Sequence, residues 1–377
     1  MTSEGEGEGE GESFRINLFL NSLSTTRFGR FLIWSPRLSS THDVVSHFWA
    51  AISAEIPIGA VCVADAQFKG RGRSKNVWES PKGCLLFSFT IQMEDGRVVP
   101  LVQYVVSLAM TEAIKDVCVK NGIPPLEVRI KWPNDLYLNG LKVGGILCTS
   151  VYKSKKFNVS AGKCKVLKSG CGRRNGGGDA VAVAVAVAGC KSRSVMVAAV
   201  TVLRTVRTVR SCYSDTPGFQ LHTASGRKGG GYMQKRYVTG YVYGIGLNID
   251  NEKPTTCLNA VLKKLTSVAY QLQREDILAA FFNKFENLFD ILINKGFQPL
   301  EELYYETWLH SGQRVIVQEN NADQIVEKVV TIQGLTSSGY LLALGEDNQM
   351  CELHPDGNRI RYPRRRLGPT VELETSM

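Results

Sequence analysis

The stretch EVRIKWPNDLYLNGLKVGGILCTS (residues 127–150) decides the fold class, because its strands and turns are legible without reference to anything else. Glu127–Lys131 and Lys142–Ser150 are apolar runs of strand length. Between the pairs Tyr137-Leu138 and Leu141–Val143, Asn139-Gly140 is a two-residue turn that needs positive φ at both positions, so the chain reverses as a hairpin. Pro133 forces an earlier turn, since its ring fixes φ and removes a backbone donor. The segment therefore carries Lys131 to a strand end, displays Asn134 and Asp135 in a turn, and returns Lys142 to the same rim. As structure this is an ordinary turn beside a solvated lysine. As chemistry it offers groups that can hydrogen-bond a sugar or a phosphate-bound Mg²⁺.

Outward from this hairpin the same alternation continues. Phe31–Trp34, Gly59–Ala64 and Cys84–Gln92 read as strands, separated by helical patterns. The clearest helix is Leu101–Lys120, with Leu101, Val105, Leu108, Ala109, Ile114 and Val117 on one face and Gly122 with Pro124 as its stop. A second spans Arg274–Lys295 and a shorter one lies around Leu300–His310. The fold class is α/β (α+β), a mixed sheet flanked by helices. Beyond Gln313, RVIVQ, KVVTIQG, GYLLAL and MCELH are short, β-rich and divided by turn residues, which predicts a small barrel of four or five strands as a second domain. After Asn358 the strand pattern is lost, so residues 359–377 read as an irregular basic tail.

The composition agrees with one large and one small domain: 377 residues, 44% of them hydrophobic. No uninterrupted apolar run reaches the roughly 18 residues of a membrane span, so the sequence predicts a soluble protein with no membrane partner. The net charge of +10 is local. Residues 163–236 hold 14 Lys and Arg against 2 Asp and Glu, leaving 31 against 33 elsewhere. The region from about 163 to 243 (GRRNGGG, AVAVAVAVA, VRTVRTVR, GRKGGG) is repetitive and lacks an amphipathic pattern, so it reads as a low-complexity insertion without a core. It lacks the interleaved aromatics of a nucleic-acid surface, and none is expected as a partner. Ten cysteines without paired C-x-x-C spacing read as reduced thiols. His42 and His47 lack the carboxylate or thiol company of a zinc site, so no metal site is identified directly. Residues 1–27 begin with an acidic Gly/Glu repeat, expected to be disordered, and nothing in them resembles a targeting peptide, which predicts a cytosolic protein.

A second chemical stretch is Gln67-Phe-Lys-Gly70-Arg71-Gly72-Arg73-Ser-Lys-Asn-Val-Trp78. Alternating glycines and arginines let backbone N–H groups approach an anion while guanidinium forks bind its oxygens, and Trp78 anchors the loop. Alone, such a motif is more often an exposed basic turn. Taken with Lys131–Asp135, Lys142–Leu147, Ser40-Thr41 and Gly244-Ile-Gly246-Leu-Asn248, it resembles the catalytic domain of biotin–protein ligases, also called holocarboxylase synthetases, of the eukaryotic and plant type. The resemblance covers roughly residues 28–160 and 244–358.

The resemblance implies a class II synthetase-like catalytic domain over residues 28–310, interrupted by the insertion, and an SH3-like barrel over 311–358. It implies an AMP-forming ligase that activates biotin with MgATP and transfers it to a lysine on the biotin carboxyl carrier domain of a carboxylase. By motif position, Ser40, Thr41, His42, Gln67, Gly70, Arg71, Gly72, Arg73, Trp78 and Lys142 are the biotin and adenylate contacts, with Gly144, Gly145 and Ile146 walling the biotin pocket. Lys131, Asn134, Asp135, Gly246 and Asn248 face ATP, and Lys142, Arg73 and Asp135 are the catalytic set. His42 is expected to be a polar loop contact, not a base. The chain departs from relatives at the insertion, where KFNVSA should run directly into GIGLN, and at the Arg-rich C-terminus. The rival reading is a catalytically impaired pseudo-ligase that still binds carrier domains. A lipoate-attaching enzyme would share the fold, but the GRGR loop and KWPND favour biotin.

Overall fold

The computed structural model describes residues 13–51, 57–72, 77–78, 80–93, 95–152, 183–187, 196–198, 239–251, 255–321, 324–355 and 359–361. Its main sheet is built from β1 (Phe31–Leu38), β2 (Val61–Gln67), β5 (Cys84–Met93), β6 (Arg129–Lys131), β7 (Asp135–Leu138), β8 (Leu141–Tyr152), β9 (Val183–Val187), β10 (Met196–Ala198) and β11 (Thr239–Asn248). The strand order is β10-β9-β1-β2-β5-β11-β8-β7-β6. β1 and β2 run parallel and the sheet's other described strand pairs are antiparallel, so the sheet is mixed. β3 (Gly70–Arg71) and β4 (Val77–Trp78) form a separate hairpin.

The period of two along each strand sorts the sheet into unlike faces. One face carries Leu32, Val61, Val63, Phe87, Phe89, Tyr241, Tyr243, Ile245 and Leu247, all in one buried cluster. Against it pack α3 (Val99–Lys120) and α5 (Arg274–Lys295). Phe281, Phe282 and Phe285 of α5 meet Phe89 at centroid distances of 5.8, 5.5 and 5.1 Å, edge-to-face, an arrangement favoured by the ring quadrupole. The segment Gly96–Lys120 is apolar and long enough to cross a membrane by composition, yet 67% of its apolar window is buried within the protein. The opposite face mixes small and polar residues, among them Cys62, Ala64, Ser88, Gly244 and Gly246, with a smaller apolar cluster that includes Phe31, Ile33 and Val242, and is covered by α2 (Thr41–Ala51).

The remaining helices are α1 (Ile16–Ser22), α4 (Leu258–Leu265) and α6 (Glu301–Thr307). The expected disorder of residues 1–27 is corrected in its second half. Phe14, Ile16 and Phe19 are buried, and Phe19 sits 6.3 Å from Phe282, so this segment folds because it has aromatic partners on α5. Glu286 holds the following loop, accepting from the backbone N–H groups of Thr26, Arg27 and Phe28.

The insertion boundary is also corrected. Thr239–Tyr243 is not low-complexity chain but the first half of β11, pairing with both β5 and β8, and its Tyr241, Val242 and Tyr243 are buried. Within the AVAVAVAVA run, Val183–Val187 pairs antiparallel with β1 and extends the sheet.

The C-terminal strands β12 (Arg314–Asn321), β13 (Gln324–Leu335), β14 (Leu341–Gly345), β15 (Met350–Leu353) and β16 (Arg359–Arg361) form a five-stranded antiparallel sheet ordered β15-β14-β13-β12-β16. Residues 359–361 therefore do not belong to an irregular tail: Arg359–Arg361 pairs with Gln318, Val317 and Ile316. Nor does this unit have a separate core, since Val315, Ile332 and Leu341 belong to the same cluster as the helices α3 and α5.

Candidate functional site

The hairpin forms as its turn chemistry requires, with φ of 51° at Asn139 and 77° at Gly140. Lys131 pairs with Asp135 across the Trp132–Asn134 turn, which contains a cis Trp132–Pro133 bond. The Lys131 ammonium lies 5.2 Å from the centroid of the Tyr137 ring. Asn134 is buried, its Nδ2 donating to the Ile146 carbonyl at 2.6 Å while the Ile146 N–H donates to the Asn134 carbonyl at 2.9 Å, so it acts as an extra rung between turn and strand. Across the hairpin, Lys142 Nζ donates to Asp135 Oδ1 at 2.6 Å. Both side chains are partly exposed, at 35% and 26%, which leaves the pair reachable from solvent.

Register places these groups beside the sheet face that α2 covers. Asp135 pairs with Gly145, Gly145 with Gly246, Gly246 with Leu86 and Leu86 with Ala64. A Cβ at Gly244 would lie 3.0 Å from His42 Nδ1 and 3.2 Å from Ser88 Oγ, so glycine keeps room there that other residues would fill. Gly144 serves a different need: a Cβ there would come 2.8 Å from the Gly246 carbonyl, so its absence permits close strand approach. Ile146 is buried with Ile245 and Leu247 in the aromatic core. Gly144 and Ile146 thus point away from the face that Gly145 shares, which corrects the expectation that all three wall one pocket.

The start of α2 overhangs this face. Ser40 Oγ accepts the Asp43 N–H at 3.4 Å, a helix-start contact. The Thr41 N–H donates to Gln67 Oε1 at 2.6 Å, and Thr41 Oγ1 and Ser88 Oγ share a 2.8 Å hydrogen bond. His42 sits in the first helical turn, not in a loop, and its Nε2 is 2.8 Å from Thr149 Oγ1 of β8. Gln67 reaches on to Ser80 Oγ at 3.2 Å. Five polar residues, Ser40, Thr41, His42, Gln67 and Ser88, are thereby fixed over the glycine-lined strands.

Gly70 pairs with Trp78 and Arg71 with Val77, so the GRGR stretch is a hairpin rising from the end of β2. Gly72 follows it without regular structure. Arg73 and the side chains of Arg71 and Trp78 lie outside the described residues. Asn248, at the end of β11, is 4% exposed; its Nδ2 donates to the Thr256 carbonyl at 3.1 Å and its Oδ1 accepts from Cys84 Sγ at 3.5 Å. Burial pushes the Cys84 thiol up to about 12, so it stays protonated and donates. Thr255 Oγ1 donates to the Lys142 carbonyl at 2.6 Å, tying the Asn248 corner to the hairpin.

Four residues of this arrangement are missing from the sequence reading: Ser88, Thr149, Thr255 and His310. Ser88 and Thr149 carry a signal, each being a hydroxyl inside a mostly apolar strand. His310 Nε2 accepts the Trp132 N–H at 3.0 Å. Burial drives its pKa down to about 4, with the Lys131 charge acting in the same direction and the Gln313 hydrogen bond against them, so the ring is neutral at ordinary pH.

A cation on a hairpin rim, a row of glycines and an overhanging set of amide and hydroxyl groups suit an anion tailed by a compact polar ring. The Biotin/lipoate A/B protein ligase family pattern matches residues 34–163. The chain is 54% identical over 350 residues to Biotin–protein ligase 1, chloroplastic, of Arabidopsis thaliana, spanning 93% of this chain and 72% of that protein. It is equally identical to Biotin–protein ligase 2 of the same plant, covering 80% of it, and 23% identical to the Biotin–protein ligase of Homo sapiens, covering 38% of that chain. Among solved structures, the Biotin protein ligase from Aquifex aeolicus in complex with biotin and ATP superposes with a TM-score of 0.51 at 18% identity, over 90% of this chain and all of that one, a likeness of fold. With more than half of the residues shared over most of the Arabidopsis proteins' length, this chain belongs to the biotin–protein ligase family.

Proposed function

We propose that this chain couples biotin to protein in two steps on the face between α2 and the β7–β8 hairpin. Biotin carboxylate attacks the α-phosphate of ATP to give biotinyl-5′-AMP and pyrophosphate. The ε-amine of a lysine on a carboxylase carrier domain then attacks the acyl carbon, AMP leaves, and the amine loses its proton as the amide forms. The observation that carries the reading is the Lys142–Asp135 pair at 2.6 Å, set in register with Gly145 and Gly246.

Lys142 offsets the repulsion between the two anions, held by Asp135 so that little reorganisation is needed as charge develops. Asp135, the carboxylate paired with Lys142, is suited to take the amine proton. Thr41, His42, Gln67 and Ser40 hold biotin over the glycines, Gly145 among them. The loop from Gly70 through Trp78, with Arg71, Gly72 and Arg73, covers the adenylate and excludes water. Lys131 and Asp135 face ATP, while Asn134, Gly246 and Asn248 shape its corner. Among the described residues no three His, Cys, Asp or Glu gather as a metal site. Asp135 would hold Mg²⁺ brought by the ATP phosphates, where the ion would supply charge neutralisation.

The same reading gives the finer fold: a class II synthetase-like catalytic layer, and an SH3-like barrel for β12–β16, supported by the register shift between Ile332 and Gly334 that bends β13. The partners are carrier domains and the location is the cytosol; import of the full-length chain into plastids would overturn the latter. The deciding experiment follows biotin-dependent ATP–pyrophosphate exchange and biotin transfer to a purified carrier domain. Exchange and transfer together support the ligase. Carrier binding without either supports the pseudo-ligase.

A further inference from the structure

The Trp132 backbone N–H follows the last rung of a short parallel contact. Ile130 bridges to Trp308, and the Leu309 N–H donates to the Ile130 carbonyl at 2.9 Å. The next position in that ladder is filled by a side chain: His310 Nε2 accepts the Trp132 N–H at 3.0 Å, inside a region where Trp132 is 4% and His310 1% exposed. The other ring nitrogen is 2.8 Å from Gln313 Oε1. Gln313 is itself clamped, since its carbonyl accepts from the Ile332 N–H of β13 at 2.9 Å. The two contacts fix the tautomer, with Nδ1 carrying the proton to Gln313 and Nε2 left as the acceptor.

A second contact holds the same tryptophan. Its Nε1–H donates to Tyr104 Oη at 2.8 Å, and the Tyr104 hydroxyl donates to the carbonyl of Gly339, in the turn between β13 and β14. Trp132 is thus held by its backbone from His310, just ahead of β12, and by its ring through Tyr104 of α3 to Gly339 in the β13–β14 turn, and it stands between Lys131 and the Asn134-Asp135 turn.

We propose that His310 is a positioning residue for the ATP-dependent step, its Nε2 locking the Trp132 N–H so that Lys131 and Asp135 are presented together, with the C-terminal sheet as the fixed support. This rests on the reading that Lys131 and Asp135 face ATP. It also gives the C-terminal sheet a role in the first half-reaction.

The test is biotin-dependent ATP–pyrophosphate exchange by the full-length chain, titrating ATP at saturating biotin and biotin at saturating ATP, with melting temperatures taken in parallel. Removing one buried acceptor in His310→Leu should raise the KM for ATP about tenfold and leave that for biotin within about twofold. His310→Gln, whose Oε1 can accept the same N–H, should recover most of the loss. Equal KM values for ATP in the Leu and Gln variants, or equal shifts for both substrates, would overturn the proposal. If His310→Leu does not fold, Gln313→Leu reads the same arm, and an unchanged KM for ATP there is also against it. Lys131→Ala separates the two layers. If it raises the KM for ATP and His310→Leu does not, the positioning role alone fails; if it leaves the KM unmoved, the ATP-facing reading fails and His310's role falls with it.

Discussion

Acidification should weaken this protein through one ring, and the size of the effect follows from where that ring is buried. His310 titrates at about 4 in the folded chain against an ordinary 6.5, because burial opposes its charge and Lys131 adds to that opposition. The unfolded chain therefore binds a proton at a pH where the folded chain refuses it. The contribution of neutral His310 is complete above the ordinary value, erodes as pH falls below it, and is exhausted near the folded value. At 1.36 kcal/mol per unit, the whole gap corresponds to about 3 kcal/mol, and the part spent by pH 5 to about 2 kcal/mol. The assay is urea unfolding of wild type and His310→Gln between about pH 7.5 and 5. Asp65 and Asp276, raised chiefly by burial, titrate in both proteins and cancel in the difference. Wild type should lose about 2 kcal/mol more than the variant across that range. Parallel curves would show that His310 titrates alike in the folded and the unfolded chain, and the argument from burial would fail.

Three further outcomes follow from the geometry. Lys142→Ala should abolish pyrophosphate exchange and Lys142→Arg should impair it, since the longer fork cannot occupy the 2.6 Å seat on Asp135; near-normal exchange in the alanine variant would reduce Lys142 to a solvated strand end. Gly244→Val, which places a branch where a Cβ already lies 3.0 Å from His42 Nδ1, should raise the KM for biotin far more than that for ATP and cost about 1–3 kcal/mol in a thermal melt. At Glu286 burial raises the carboxyl, but the hydrogen bonds from Thr26, Arg27 and Phe28 outweigh it and leave its pKa below the ordinary value. Glu286→Ala should therefore destabilise by about 2–4 kcal/mol at neutral pH, a difference that shrinks as pH falls below the ordinary carboxylate value.

Local chemistry made much of this molecule legible. Asn139-Gly140 needs nothing beyond its own two residues to form its turn, and Arg274–Lys295 carries its period, its acidic first turn and its stop at Gly296 within one segment. The loop expected at His42 is instead a helix start, which Ser40 and Asp43, three residues apart, already signal. Ile146 was misplaced against the period of two, which forbids it from sharing a face with Gly145. His310 was different in kind. Its partners Trp132 and Gln313 are brought to it by the packing of a strand end against a second sheet, and no spacing along the chain encodes that meeting. The start of β11 is hard to read because TGYVYG follows directly on basic, repetitive chain whose composition masks a short run buried on both faces.

Because Thr239–Tyr243 belongs to the sheet, the point at which the insertion is cut decides what the strand keeps. Removing residues 163–243 joins Gly162 to Gly244, and the strand must then be completed by Asn158–Gly162 in the places of Thr239–Tyr243. Ser160 would take the place of Tyr241 and Gly162 that of Tyr243, in positions 3% and 0% exposed, the second stacked 5.7 Å from Phe89. Truncating a large buried aromatic costs about 3–5 kcal/mol, and two of them approach the whole stability of a domain, about 5–15 kcal/mol. Ending the deletion at 238 instead keeps TGYVYGIGLN intact and leaves residues 153–238 reduced to a ten-residue connection, 153–162, between Tyr152 of β8 and its partner Thr239. Closure of so short a surface loop between adjacent antiparallel strands is favoured over a long one by the logarithm of their lengths. The shorter deletion gives up β9 and β10 at the edge of β1 but keeps the buried tyrosines, so it should melt cooperatively, well above the longer one, and retain biotin transfer. If the two deletions prove equally stable, the tyrosines of β11 are not the strand's buried anchor and KFNVSA fills the sheet as well.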